Sequence, residues 1–210
     1  MLTLSSRLLV VTDRHQTNGR PLVPLLQQVF TAAAPIVQLR ERDLSARELV
    51  RLAHEVQAVT ASHRSQLLIN DRIDVALALE GVGVHLRSNS LPVSVARQLL
   101  GTQHLVGVSV HTVEEAIQVE SQGADYIILG PIYATPSKRM FGPPLGIHTL
   151  EKACRLVRIP IIGIGGVTAA RAPQMRRAGA FGVAVITAIL GATDVESATR
   201  ELLEAVTPAP

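Results

Sequence analysis

Leu105-Val106-Gly107-Val108, then Thr112-Val113-Glu114-Glu115, then Gly123-Ala124-Asp125-Tyr126-Ile127-Ile128-Leu129 reads as one strand, helix and strand in succession. The two outer runs are short and rich in β-branched residues and Leu, as strands buried on both faces are. Between them Thr112 and Glu115 have the spacing of a capping box, Ala116 and Val119 share one helical face, and Gly123 supplies a stop. The same unit recurs along the chain. Strands are expected at Leu8–Thr12, Ile36–Leu39, Gln66–Ile69, Gly83–Leu86, Leu105–Val108, Tyr126–Leu129, Ile161–Ile164 and Gly182–Ile186. Helices are expected near Pro21–Ala33, Pro92–Leu100, His148–Val157, Thr168–Arg177 and Asp194–Val206, with a short one over Asp71–Leu79. Ser45-Ala46-Arg47-Glu48 is a second capping box, opening a helix whose stripe is Leu49, Leu52, Ala53 and Val56. This alternation predicts an α/β fold, a closed (β/α)8 TIM barrel, as a single domain over residues 1–207 with a tail at 208–210. A doubly wound open sheet is the other arrangement, because periodicity does not report closure.

Composition narrows the function classes. Hydrophobic residues are 47% of the 210, and they are aliphatic: there is no Trp, and only two Tyr and three Phe. Such a chain builds a buried parallel sheet rather than an aromatic platform for nucleic-acid bases. The net charge of +3 is spread without a run of five like charges, so no nucleic-acid partner is expected. The lone Cys154 excludes an internal disulfide and reads as a small packed residue. No secretory leader and no apolar run of about 18 residues is visible, so no membrane partner is expected and the protein is read as cytoplasmic.

Polar residues gather directly after the apolar runs, which in a barrel is the catalytic face. They are Arg40-Glu41-Arg42, Asn70-Asp71, His85 and Ser90, Ser109 and His111, Gly130-Pro131 with Thr135, Ser137 and Lys138, Gly165-Gly166, and Ile186-Thr187. Together they describe a rim suited to small phosphorylated substrates. Gly165-Gly166 before a Thr168 helix would let backbone and helix N-terminus approach a phosphate; the plain alternative is a strand-to-helix turn. Arg40 and Arg42 alternate onto one side, where they would clamp a pyrophosphate or else join a surface salt-bridge cluster. Asp71 would hold Mg²⁺ or else cap the short third helix. His85 is read as a hydrogen-bonded core residue, His111 as either an acid–base group or a structural one, and Lys138 as a phosphate-binding or a solvated side chain. The Pro/Gly-rich stretch Pro131–Gly146 has the length of a functional loop.

The chain resembles the thiamine phosphate synthase/TenI family along nearly its whole length. The resemblance rests on Val37-Gln38-Leu39-Arg40-Glu41-Arg42, Leu68-Ile69-Asn70-Asp71-Arg72-Ile73-Asp74, Gly83-Val84-His85-Leu86 and Gly107-Val108-Ser109-Val110-His111-Thr112. It continues in Gly130-Pro131-Ile132-Tyr133-Ala134-Thr135-Pro136-Ser137-Lys138, Ile164-Gly165-Gly166-Val167 and Gly182-Val183-Ala184-Val185-Ile186. It implies an oligomeric barrel, a homo-oligomer, joining hydroxymethylpyrimidine pyrophosphate to hydroxyethylthiazole phosphate. Pyrophosphate leaves first, and the thiazole nitrogen captures the pyrimidine-methyl cation. By the same resemblance Arg40, Asn70, Ser109 and Lys138 hold the pyrophosphate and Asp71 a Mg²⁺ ion. Thr135, Ser137, Gly165, Gly166, Ile186 and Thr187 hold the thiazole phosphate, and Gln38 and Arg42 also line the substrate site. Two departures stand out. Arg42 replaces the usual Lys, and Ser90 stands where a second metal-binding Asp precedes Leu-Pro, which weakens the expected Mg²⁺ site. The loss of that acid points toward the TenI branch, a thiazole tautomerase using His111 or another base, or toward a non-catalytic regulator binding thiazole phosphate or thiamin phosphate. Pro131 after the strand-six glycine, where the tautomerase carries His, points back to the synthases.

Overall fold

A computed structural model describes residues 3–135 and 142–207. Its strands are β1 (Leu8–Val11), β2 (Ile36–Leu39), β3 (Leu67–Asn70), β4 (Gly83–Leu86), β5 (Val106–Val110), β6 (Tyr126–Leu129), β7 (Ile161–Ile164) and β8 (Gly182–Val185). All pair in parallel and in sequence order, and β8 closes on β1 through Leu9 opposite Ala184. The barrel, not the open sheet, is therefore the arrangement. The helices are α1 (Leu22–Ala32), α2 (Ala46–Ser62), α3 (Ile73–Leu77), α4 (Val93–Leu100), α5 (Val113–Ser121), α6 (Gly146–Leu156), α7 (Ala172–Arg177), α8 (Thr187–Leu190) and α9 (Val195–Val206). The tail residues Pro208–Pro210, and Ser137 and Lys138 of the long loop, lie outside the described residues.

Period-two alternation sorts each strand into two apolar layers. Outward residues such as Val10, Leu39, Ile69, Val84, Val108 and Leu129 pack beneath the helices. Inward residues, among them Leu9, Ile36, Leu68, Tyr126, Ile128 and Ile162, fill the barrel. Space for the one large aromatic comes from its neighbour. Gly107 lies opposite Tyr126, and a Cβ on it would sit 1.9 Å from the phenol Cζ.

Local chemistry sets most element ends. Ser45 and Glu48 form the reciprocal capping box at α2. At α5 the box is half formed: Thr112 accepts from the Glu115 N–H, but the Glu115 carboxylate turns to the His111 N–H, 2.6 Å away. The expected helix from Thr168 begins only at Ala172. Thr168 instead caps a turn through its Oγ1 and the Arg171 N–H at 3.3 Å, and Pro173 sits in the first turn of α7. Asp71 does not cap α3; its φ of +64° places it in the left-handed region, and the cap position is Arg72 without a side-chain bond. No helix among the described residues is long and apolar enough to cross a membrane. Burial pushes the Cys154 thiol up to about 11, in keeping with a packing role.

Candidate active site

The C-terminal ends of the strands surround a cavity of about 610 Å³. Its floor is the last inward layer of the barrel: Val11, Gln38, Asn70, Ser109, Ile128, Ile164 and Ala184. Gln38 donates from Nε2 to Asn70 Oδ1 at 3.0 Å. Its own Oε1 is buried without a partner among the described residues, so the floor presents an acceptor that seeks an N–H.

Ser109 is fixed from below. Its hydroxyl lies 2.8 Å from His85 Nε2, and His85 Nδ1 lies 2.9 Å from the Tyr126 hydroxyl. His85 is 1% exposed, and burial holds its pKa down at about 3; burial likewise raises the Tyr126 phenol well above its usual range. Both groups are therefore neutral near pH 7, and the histidine is the hydrogen-bonded core residue read from the sequence.

One wall is cationic. Arg40, Arg42 and Arg87 all line the cavity. Glu41 turns the other way, buried, accepting from Thr12 Oγ1 at 2.6 Å and from the Arg14 N–H at 3.1 Å. Strand alternation thus places both arginines inside and the carboxylate outside. Burial, then the neighbouring Arg42 charge, lowers the Arg40 pKa from its ordinary value, and Arg87 adds to the effect. A guanidinium keeps its proton regardless; Arg40 has Asp13 at 3.8 Å and Arg87 has Asp71 at 2.7 Å, so the wall is partly compensated and still presents guanidinium N–H groups to the cavity.

The wall facing them is built from backbone. Gly165 and Gly166 adopt φ of +99° and +62°, and a Cβ on Gly166 would meet the Ala134 carbonyl at 2.6 Å. Thr135, Thr168, Ile186, Thr187 and Ala188 border the same space. Since the Thr168 segment is a turn, the nearest helical N–H groups free of intrahelical acceptors are those opening α8. Arg171 donates to the Gly166 carbonyl at 2.8 Å, and its guanidinium lies over the Tyr133 ring at 4.9 Å. His111 also lines the cavity, its Nδ1 2.6 Å from the Gly130 carbonyl.

Asp71 and Ser90 come together but stand behind the wall. The Ser90 hydroxyl donates to Asp71 Oδ1, and Arg87 Nε donates to Asp71 Oδ2 at 2.7 Å. This donor set does not fit a resident Mg²⁺. It has a single carboxylate, both of whose oxygens are engaged, with a positive charge against it, and no group of three His, Cys, Asp or Glu suitable for a metal occurs among the described residues. Sequence reading passed over Arg87 and Arg171, and took Thr168 for a helix start where the chain makes a turn. Arg87 was within reach, because it follows β4 directly, as Arg40 follows β2.

A parallel barrel with arginines on one side of its C-terminal mouth and a glycine loop on the other has the layout of barrel enzymes that take phosphorylated substrates. Comparison with known proteins carries this further. The family model described as thiamine monophosphate synthase matches residues 8–189. A thiamine-phosphate synthase of Moorella thermoacetica is 44% identical over 202 residues, 96% of each chain. That of Roseiflexus castenholzii is 42% identical over 195 residues, 93% of this chain and 86% of the other. The solved thiamine phosphate pyrophosphorylase from Pyrococcus furiosus superposes with a TM-score of 0.87 at 32% identity, covering 95% of both chains. The chain belongs to the thiamine monophosphate synthase family, and it is an enzyme of thiamin biosynthesis.

Proposed function

We propose that this chain joins hydroxymethylpyrimidine pyrophosphate to hydroxyethylthiazole phosphate, releasing pyrophosphate and forming thiamin phosphate. The observation that carries the reading is the division of one cavity into a wall of three guanidiniums and a facing wall of backbone and hydroxyl donors. The first suits the more highly charged pyrophosphate, bound bidentately by arginine. The second suits the single phosphate of the thiazole, with Thr135, Gly165, Gly166, Ile186 and Thr187 as its contacts. Between them lies the floor, where the unpartnered Gln38 amide oxygen accepts from the amino group of the pyrimidine.

The chemistry required of the side chains is modest. The methylene C–O bond breaks, the electron pair leaves on the pyrophosphate, and the thiazole nitrogen forms the new C–N bond. Arg40 and Asn70 hold the departing oxygens. In the tautomer where the Tyr126 hydroxyl donates to Nδ1, the neutral His85 ring donates from Nε2–H to Ser109, which frees the serine proton to bond the same anion. The aliphatic members of the floor, Val11, Ile128, Ile164 and Ala184, keep water away from the cation. By the family resemblance Lys138 would also bind the pyrophosphate and Ser137 the thiazole phosphate. Magnesium enters this reading only as a companion of the pyrophosphate substrate. Phosphorylated substrates do not cross a bilayer, which favours work in the cytoplasm. Assembly into a homo-oligomer belongs to the same proposal, and sedimentation equilibrium reads it.

The tautomerase reading has less support, since Pro131 follows Gly130 and the His111 ring is tied to the Gly130 carbonyl. Incubating the purified chain with both substrates and Mg²⁺ should yield thiamin phosphate and pyrophosphate in equal amounts. Folded protein that binds both substrates by calorimetry yet forms no product would overturn the synthase reading and leave the tautomerase or the binder.

A further inference from the structure

The space in front of Asp71 is filled by a guanidinium. Arg87 follows β4, and the neighbouring pairing of Asn70 with His85 brings the end of β3 beside it. Three bonds fix it there. Its Nε donates to Asp71 at 2.7 Å, its backbone N–H donates to Ser90 Oγ at 2.8 Å, and the Ser90 hydroxyl donates to the other Asp71 oxygen. A carboxylate, a hydroxyl and a guanidinium thus close on one another, and of the three only Arg87 faces the cavity. With Nε committed to Asp71, its two terminal nitrogens have no protein partner among the described residues. They open on the side where Arg40 and Arg42 also point.

We propose that Arg87, braced by Asp71 and Ser90, is a built-in cation that receives the departing pyrophosphate, so that the chain ionises its pyrimidine substrate with little dependence on a divalent ion. The inference rests on the synthase reading and adds a substrate-binding residue to it. When the C–O bond breaks, negative charge grows on the leaving oxygen. The Arg87 terminal N–H groups stabilise it as fixed donors, with no proton transferred. Ser90 is then the counterpart of the guanidinium rather than a damaged metal ligand. A second carboxylate at 90 would repel Asp71 and draw the guanidinium onto itself, whereas the hydroxyl donates to Asp71 and accepts from the Arg87 backbone N–H.

The test compares wild type, Arg87→Ala and Arg87→Ala/Ser90→Asp, each with both substrates, in EDTA and across a Mg²⁺ series at fixed ionic strength. Binding of inorganic pyrophosphate in EDTA is measured by calorimetry. Arg87 is half-exposed, so removing it leaves the core intact. Wild type should keep its rate in EDTA within about tenfold of the Mg²⁺-saturated rate, whereas Arg87→Ala should lose about 10²–10³-fold there, the usual cost of removing one oxyanion donor. Arg87→Ala should also bind pyrophosphate at least about tenfold more weakly, the loss of one charge-assisted bond. Arg87→Ala/Ser90→Asp should be inactive in EDTA and regain turnover with Mg²⁺, having exchanged a guanidinium for a second acid. A wild type that loses turnover in EDTA as completely as Arg87→Ala overturns the proposal, as does pyrophosphate affinity unchanged by the substitution. If no protein makes thiamin phosphate at any Mg²⁺ while pyrophosphate binding still depends on Arg87, the synthase reading fails and the anion site stands.

Discussion

Gly166 combines two demands that no other residue meets together. Its φ of +62° costs a side-chain-bearing residue about 1–2 kcal/mol, and a Cβ would press on the Ala134 carbonyl at 2.6 Å and on Tyr133. Gly166→Val should therefore push the loop out of the cavity and weaken thiazole phosphate binding. The loss of one hydrogen bond to a charged group, about 1.5–3 kcal/mol, corresponds to roughly ten- to a hundredfold in Kd. Calorimetry checks this, with circular dichroism to confirm folding; unchanged affinity would move the phosphate elsewhere. His85 makes a second prediction. Its pKa is held at about 3 in the folded chain against 6.5 unfolded, so between those values the unfolded state binds more protons. Stability should accordingly fall as pH drops from about 6.5 toward 3, by up to about one proton's worth of slope from this group. His85→Gln keeps polar atoms but cannot titrate. Urea midpoints at several pH values should show a shallower acid slope for it than for wild type.

At the scale of elements, β5 and β6 depend on each other through one missing side chain. Gly107→Ala places a methyl within the Tyr126 ring, and overpacking of this kind costs about 1–3 kcal/mol. Denaturant midpoints should show that loss, and turnover should fall with it, because the displaced phenol pulls His85 away from Ser109. Adding Tyr126→Leu should recover part of the stability, so that the two changes are less than additive. A fully additive pair would mean that the ring and the glycine do not compete for space. The strands themselves were plain in the sequence, because runs such as Ile161–Ile164 are apolar on both faces and bounded by turn residues. Helix starts were less so. Thr168 has the composition of a cap but stops at a turn, since Pro173 and the paired left-handed glycines fix the chain from either side. The position of most rim residues was legible because they sit at or just beyond a strand end, Asn70 closing β3 and Ser109 lying next to last in β5. The partnership of Asp71 with Arg87 was not, because it depends on the register between β3 and β4.

Over the whole molecule the net charge is only +3, yet four arginines, Arg40, Arg42, Arg87 and Arg171, share one mouth. Attraction at that mouth should be sensitive to salt, since screening sets in over about 10 Å at 0.1 M ionic strength. Raising ionic strength should increase KM for the pyrimidine pyrophosphate severalfold with kcat little changed. Equal KM at low and high salt would mean that contact, rather than long-range attraction, governs capture. The aliphatic build of the barrel has a practical outcome as well. With no tryptophan, ultraviolet emission comes from two phenols only. Tyr126 is sealed inside the barrel, while Tyr133 lies against the Arg171 guanidinium and bonds Gln174 at 2.9 Å. Any ligand that draws Arg171 from that ring alters the surroundings of one fluorophore and leaves the other unchanged, so the chain reports occupancy of its glycine loop in its own light.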